Sequence, residues 1–294
     1  MSSRFDCVRP ESLAEACALL AERAPDGASV VHAGGTDLIV QARSDSFRAS
    51  RVVDLSRIAG LRYLTVLDDG TLRAGALATL SDLVEHPLLQ GPLSALREAT
   101  VMIGSVQIRN RATLVGNICN ASPAADTVPP LVIFGARVNV VGPAGKRTEA
   151  IIDFITAPGR TSLTAGELVE SVDIPVPAVK TGSAYARMTR RRAVDLATTD
   201  VAALVDADGT VRFSYGAVSP RPILGVRAAA VLTGREPDEE LLNKAARAAE
   251  EEIEPISDVR GSREYRRAMT GVLVRRTFLT AWDRLREEGE ADTV

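Results

Sequence analysis

The sequence is short of the groups that do most metal, disulfide and membrane chemistry. It has three cysteines, Cys7, Cys17 and Cys119, and two histidines, His32 and His86, in 294 residues. Three thiols with no CxxC pair cannot build a disulfide framework, nor the four-thiolate site an iron–sulfur cluster usually needs. A reducing cytosol fits that cysteine usage. Two histidines cannot make a multi-histidine metal site. No apolar run approaches the roughly 18–20 residues of a membrane span, and the start, MSSRFDCVRPES, lacks the apolar core of a secretory signal. Charge of one sign is also missing: the net charge is -3 and the pI about 5.6, which gives no pull toward nucleic-acid phosphate. The default is a soluble cytoplasmic protein.

What is present is a globular chain of 46% hydrophobic and 25% charged residues. At roughly 100–200 residues per domain, two domains are expected. The first 56 residues read as alternating strands and helices. Ser12 caps a helix carrying Leu13, Ala16, Cys17, Leu20, Ala21 and Ala24 on one stripe, stopped by Pro25-Asp26-Gly27. A strand at 28–32, a short helix from Asp37 and a strand at 51–55 then make a small βαβ unit with parallel pairing. From residue 57 the pattern becomes hairpins, 61–67 with 71–76 across Asp68-Asp69-Gly70 and 136–141 with 146–150 across Gly142–Gly145, plus a strand at 167–174. Helices are expected near 79–85 and 92–100, and the segment 101–128 reads as ordered loop. Pro175 to Gly182 is the linker candidate. Beyond it, strands at 183–189, 200–206 and 210–218 precede helices at 226–233, 238–253 and 263–287. The last carries an apolar stripe of Tyr265, Met269, Val272, Leu273, Leu279 and Trp282. The fold class is α+β.

Two segments carry candidate chemistry. Ala33-Gly34-Gly35-Thr36-Asp37-Leu38 lies between a strand and a helix, where glycines let backbone N–H groups approach an anion such as a diphosphate. It is neither a GxGxxG fingerprint nor a Walker A loop, and Gly-Gly before a helix also occurs as a plain tight turn. The second segment, Ile103-Gly104-Ser105-Val106-Gln107-Ile108-Arg109-Asn110 through Thr113, Gly116, Asn117, Ser122 and Asp126, is dense in small and amide residues. It reads either as a loop satisfying its own backbone or as a functional loop presenting Asn117, Ser122 and Asp126 to a planar heterocycle. Arg190-Arg191-Arg192 reads as a solvated face or a set of interface salt bridges, and Glu250-Glu251-Glu252 as an exposed helix face. His32 reads equally as a hydrogen-bonded structural residue or a cofactor neighbour. Cys119 reads as packing.

The pair AGGTDL and IGSVQIRNRATLVGNICNASPAAD, in that order, resembles the flavin subunit of molybdenum hydroxylases, the xanthine dehydrogenase / carbon monoxide dehydrogenase family. Glu167 to Pro175 resembles the family's strand before its C-terminal domain. Arg187-Met188-Thr189-Arg190-Arg191 and Asp195-Leu196-Ala197 resemble the motif that follows it, so the likeness covers nearly the whole chain. The resemblance implies an FAD-binding module over 1–176, with subdomains about 1–56 and 57–176, and a C-terminal flavoprotein domain over 181–290. It implies that Ala33, Gly34, Gly35, Thr36, Asp37 and Leu38 wrap the FAD pyrophosphate and ribityl chain, and that Ile103 and Gly104 flank the flavin pocket. Thr113, Gly116, Asn117, Ser122 and Asp126 would belong to a second FAD-contacting loop, and Leu168 and Val169 would pack near the cofactor. Arg187 would approach the flavin, where a cation stabilises the anionic reduced form. One departure stands out: Val115 occupies a place where the family often has glycine.

By the same resemblance the chain carries no molybdopterin and no [2Fe-2S] cluster. Those are expected on a large molybdopterin subunit and a small [2Fe-2S] subunit, with this chain passing electrons through FAD to NAD+, oxygen or another acceptor. The alternatives are a free-standing FAD-dependent oxidase or reductase, and a scaffold that has lost FAD.

Overall fold

The structure is a computed structural model that describes residues 5–22, 28–44, 48–191 and 194–290. The helix stop at Pro25-Asp26-Gly27, Ala24 and Arg192 lie outside the described residues. The chain opens on β1 (Asp6–Val8), α1 (Leu13–Ala21), β2 (Ala28–His32), α2 (Leu38–Gln41) and β3 (Ala49–Asp54). Ser12 caps α1 as expected, its hydroxyl accepting from the Glu15 amide at 3.2 Å. The three strands form a parallel sheet in the order β1-β3-β2, with Val8 and Val31 both abreast of Val53, and His32 abreast of Asp54. This is the expected βαβ unit.

An antiparallel sheet follows, in the order β4-β5-β10-β6-β7, from β4 (Leu64–Val66), β5 (Leu72–Gly75), β6 (Arg137–Gly142), β7 (Gly145–Ala150) and β10 (Leu168–Ile174). Both expected hairpins are there, and a small ribbon of β8 (Ile155–Ala157) and β9 (Arg160–Thr161) precedes β10. The helices of this part are α3 (Leu80–Glu85), α4 (Ser94–Val101), α5 (Val106–Arg109), α6 (Leu114–Cys119), α7 (Val128–Ile133) and α8 (Ile151–Phe154). Thr79 and Asp82 form a reciprocal capping box at the start of α3.

The segment 101–128 is therefore not simply loop. Ser105 and Thr113 cap two short helices, α5 and α6, which the small and amide residues disguise. Helix α7 starts on Val128-Pro129-Pro130, prolines whose missing N–H groups cost nothing in a first turn.

The C-terminal part is an antiparallel sheet of β11 (Thr181–Met188), β12 (Thr199–Asp206), β13 (Val211–Gly216) and β14 (Ile223–Leu224), with α9 (Val226–Leu232), α10 (Glu239–Glu251) and α11 (Arg263–Glu290). Strand β11 begins inside the expected linker. One face of this sheet, with Ala184, Val201, Ala203, Phe213 and Tyr215, packs on the helices; the other sends Tyr185, Ala202 and Leu204 into the core of the N-terminal part. The apolar stripe expected on α11 is corrected. Tyr265 and Leu279 are exposed, and the buried stripe runs through Arg266, Thr270, Leu273, Val274, Thr277, Phe278 and Ala281. Polar side chains hold that stripe because they are satisfied locally: Thr270 donates to the Arg266 carbonyl and Thr277 to the Leu273 carbonyl. The result is a two-domain α+β architecture.

Candidate cofactor site

The first glycine loop leaves the parallel sheet at His32. Gly35 has φ +74°, and a Cβ there would overlap the His32 imidazole. His32 is thus placed beneath the loop, with its Nδ1 3.2 Å from Asp54 Oδ1, and Arg9 Nε donates to the other oxygen of Asp54 at 3.1 Å. The Ser56 amide also donates to Asp54, and despite its burial the Asp54 carboxyl stays below the usual range. Among the described residues, the N–H groups of Gly34, Gly35, Thr36 and Asp37 donate to no protein acceptor. Helix α2 has only four residues, so these loop amides are the donors on offer rather than a long helix dipole. Burial raises the pKa of Asp37.

The second segment lies directly against the first. A Cβ at Gly34 would overlap the Arg111 carbonyl oxygen, so the two backbones meet with no room for a side chain. Gln41 Nε2 donates to Asn120 Oδ1 at 3.3 Å and ties α2 to the end of α6. Gly104 sits over Ile108. The turn around Ile103 is fixed by two cations. Arg109 Nη1 donates to the carbonyls of Val101 and Ile103, at 3.0 and 2.9 Å, and Arg187 Nη2 donates to that of Met102 at 3.0 Å.

Several predicted contact groups are engaged within the protein. Thr113 Oγ1 caps α6 by accepting from the Gly116 amide at 2.9 Å, Asn117 Oδ1 accepts from Thr127 Oγ1 at 2.6 Å, and Ser122 Oγ accepts from the Ala124 amide. Val115 is a buried core residue. Leu168 and Val169 lie on β10 in the core that carries α6, not among the polar groups of this strip.

The C-terminal sheet clasps the far end of the strip. Asp126, 6% exposed, accepts from Tyr185 Oη at 2.6 Å and from Arg187 Nη1 at 2.8 Å on each oxygen. Burial raises the Asp126 pKa, while Arg187 and Tyr185 pull it back. Burial also drives the Tyr185 phenol well above its ordinary value, reinforced by the Asp200 and Asp126 carboxyls nearby. The Ala217 amide donates to the Pro123 carbonyl at 2.7 Å, from a left-handed backbone at φ +59°. Such a conformation in a residue with a Cβ is strained, and the Arg266 guanidinium holds the Ala217 carbonyl in place at 2.7 Å.

Comparison with known proteins settles the family. Residues 3–177 match the family described as FAD binding domain in molybdopterin dehydrogenase, and residues 183–281 match the CO dehydrogenase flavoprotein C-terminal domain. The chain belongs to the FAD-binding subunits of the molybdenum hydroxylase family. It is 33% identical over 263 residues to the xanthine dehydrogenase FAD-binding subunit of Escherichia coli O157:H7, covering 88% of this chain and 89% of that one. It is 33% identical over 277 residues to the carbon monoxide dehydrogenase medium chain of Afipia carboxidovorans, covering 92% and 94%. The solved carbon monoxide dehydrogenase from Hydrogenophaga pseudoflava superposes with a TM-score of 0.90 at 31% identity, over 97% of this chain and 99% of that one. As a member of this family the chain is a subunit of an oxidoreductase.

Sequence reading of this medium-subunit chain missed Arg9, Asp54 and Tyr185 around the strip. The register His32 to Asp54 was available in principle once the βαβ unit was drawn. Tyr185 is two residues before Arg187 and so shares its face of the strand. Glu252 is not part of a merely exposed face, since it accepts from Tyr215 Oη and from the Arg227 amide. Arg190 pairs with Asp195 and donates to the Val259 carbonyl, while Arg191 donates to that of Val194. Desolvation pushes the Cys119 thiol up to about 12, which fits the packing role. No helix among the described residues is long and apolar enough to cross a membrane.

Proposed function

We propose that this chain carries FAD and is the electron-exit subunit of a molybdenum hydroxylase in the cytoplasm, with molybdopterin and [2Fe-2S] clusters held by a large and a small partner subunit. The observation that carries the reading is the direct contact of the two glycine-bearing segments, with four successive free amides on the first and the buried Asp126–Arg187–Tyr185 cluster at the far end of the second. The residues present fit FAD. Gly34, Gly35, Thr36 and Asp37 would direct N–H donors at the diphosphate, with Ala33 and Leu38 flanking them. Ile103, Gly104, Thr113, Gly116, Asn117, Ser122 and Asp126 form the opposing wall, and Leu168 and Val169 support it from the core. We assign residues 1–176 to the FAD module, with subdomains about 1–56 and 57–176, and 181–290 to the C-terminal domain that closes it.

When bound, FAD supplies a group that takes electrons singly from clusters and releases them singly or as a pair to NAD+, oxygen or another acceptor. The chain's own part is to bind and orient it. His32 and Asp54 hold the first loop in shape. Arg109 and Arg187 hold the turn at 101–103. Arg187 brings positive charge and Asp126 offsets it, so a cation is kept close in a buried place without being left unpaired. The relatives named as xanthine and carbon monoxide dehydrogenase subunits support the multi-subunit setting for this chain.

The test is the visible spectrum of the purified chain after FAD loading and desalting, alone and co-expressed with its partner subunits. Flavin bands retained at about one FAD per chain are expected. Turnover by this chain alone would favour a free-standing oxidase or reductase instead. No retained flavin in either preparation would overturn the reading.

A further inference from the structure

Asp200 lies on β12, directly across from Arg187 on β11 and Gly216 on β13. Its side chain shares the sheet face of Arg187 and of Tyr185, the face turned to the FAD module. It is fully buried, and neither carboxyl oxygen has a hydrogen-bond partner. Buried aspartates are rarely left so. The neighbours explain why. A Cβ at Gly216 would overlap the Asp200 carboxyl, so β13 offers it no side-chain partner, and the Gly216 backbone N–H makes no hydrogen bond to it. Helix α7, reading VPPLVI, brings no titratable group. The Tyr185 phenol donates to Asp126 instead. Arg266, on the helix packed against the opposite face, is committed to the Thr198 and Ala217 carbonyls and to Asp258.

That leaves two buried carboxyls around one guanidinium. Arg187 gives Nη1 to both oxygens of Asp126 and Nη2 to the Met102 carbonyl, and makes no hydrogen bond to Asp200. Where two carboxyls share one cation, one of them keeps its proton. Asp126 has the cation and a phenol, and Asp200 has neither. Burial drives Asp200 well above the usual carboxylate range, the charge on Asp126 adds to this, and Arg187 opposes it.

We propose that Asp200 is a proton-holding residue of the cofactor site: a carboxylic acid at neutral pH whose proton keeps the Asp126–Arg187–Asp200 cluster neutral. This rests on the reading that the cluster faces FAD. With the proton in place the cluster carries one positive and one negative charge. At alkaline pH the Asp200 O–H bond breaks, the proton passes to solvent hydroxide as water, and the cluster becomes net negative. A neutral cluster tolerates negative charge gained by the bound cofactor, and an ionised one repels it. Asp200 is thus a positioning residue, acting through Arg187.

The test uses the full-length chain, first without FAD. The infrared spectrum at pH 7 should contain an unionised carboxylic acid C=O band that is absent from Asp200→Asn, which keeps the shape without the proton. No difference in that band would overturn the proposal. Unfolding in urea gives a second readout. The folded form of the wild type should hold one proton more than the unfolded form from about pH 4 upward. Its unfolding constant, relative to that of Asp200→Asn, should then rise up to tenfold per pH unit over that range. Parallel pH profiles would overturn the proposal too. In the FAD-loaded protein, FAD retention by the wild type should fall at alkaline pH while that of Asp200→Asn stays level. If the acid band is present but neither protein retains FAD, the proton assignment stands and the cofactor reading fails.

Discussion

Replacing Arg187 by Met removes the cation from a buried pair while keeping most of the side-chain volume. Both side chains are 8% exposed, so the Asp126 charge would be left uncompensated. Removing one partner of such a pair typically costs about 3–5 kcal/mol. Protonation sets a ceiling: once unpaired, Asp126 can take up a proton at pH 7 for about 4 kcal/mol, roughly three units at 1.36 kcal/mol each. Burial has already raised this carboxyl in the wild type, so part of that cost is present before the substitution. The expected loss therefore lies at the low end of the range of about 3–5 kcal/mol, the hydrogen bond to the Met102 carbonyl included. The expected total is about 3 kcal/mol at pH 7. At pH 5 protonating Asp126 costs less, and the loss should shrink to about 1 kcal/mol. Urea titrations at the two pH values would read it through Trp282, the single tryptophan, which stacks on Phe278 in the C-terminal domain. Asp126→Asn with Arg187→Met should be less damaging than the two changes summed, because the stranded charge is gone. A loss under 1 kcal/mol at pH 7, or one independent of pH with no coupling, would refute the view that this pair joins the domains as a buried ion pair.

Gly35→Ala puts a Cβ into the His32 ring at a left-handed position, so FAD affinity should fall at least tenfold by equilibrium dialysis, at a stability cost of about 1–2 kcal/mol. Tyr185→Phe removes a donor to a buried carboxylate and should cost about 1.5–3 kcal/mol in urea unfolding, with little change in secondary structure by circular dichroism. In the folded chain a thiol reagent at pH 8 should label exposed Cys7 and leave Cys119, whose thiol sits at about 12, unmodified until denaturant is added. Glu167, bound by Arg147 and the Thr164 amide, is held at about 2, so its contribution is present above its unfolded value of about 4.3 and is lost as pH falls toward 2. Glu167→Gln should therefore flatten the acid limb of the stability profile by about 1–2 kcal/mol, discounted because Arg147 is partly exposed.

Much of this architecture is legible in the sequence where local chemistry and tertiary packing agree. Ser12 caps α1 because a hydroxyl before an apolar run has an orphan amide to accept from, and no tertiary contact competes. Asp68-Asp69-Gly70 turns a hairpin in which Asp69 accepts from the Thr71 amide, a contact complete within three residues. Legibility fails where a distant partner decides. Helices α5 and α6 read as loop because Gly, Asn and Ser have low helix propensity, yet caps from Ser105 and Thr113 and burial of Leu114, Val115 and Ile118 overrule it. The buried stripe on α11 departs from the apolar pattern because Arg266, Thr270 and Thr277 count as surface residues until their acceptors are known. Those acceptors are backbone carbonyls one helical turn away for the threonines, and of Thr198 and Ala217 for Arg266.

The same distinction divides the candidate site. Gly34 and Gly35 stand out by residue type, because few other residues tolerate backbone contact with Arg111 or a positive φ over His32. Asp126 stands out as a polar group of the second loop and Arg187 only by resemblance, and nothing along the chain says that residues 61 apart share one ion pair. Asp200 stands out by neither route. In sequence it is one aspartate in a strand of small apolar residues, and an alternating pattern would place it on the face opposite Val201 without saying what lies there. What singles it out is a deficit visible only after folding, when strand register has brought it beside an arginine already occupied by another carboxylate. A charge there would be unpaired in a low-dielectric interior, whereas a proton makes the position tolerable. The fold thus fixes the protonation state of Asp200 through the partner that Arg187 has taken, and any change that frees Arg187 from Asp126 should lower the proton affinity of Asp200 as well.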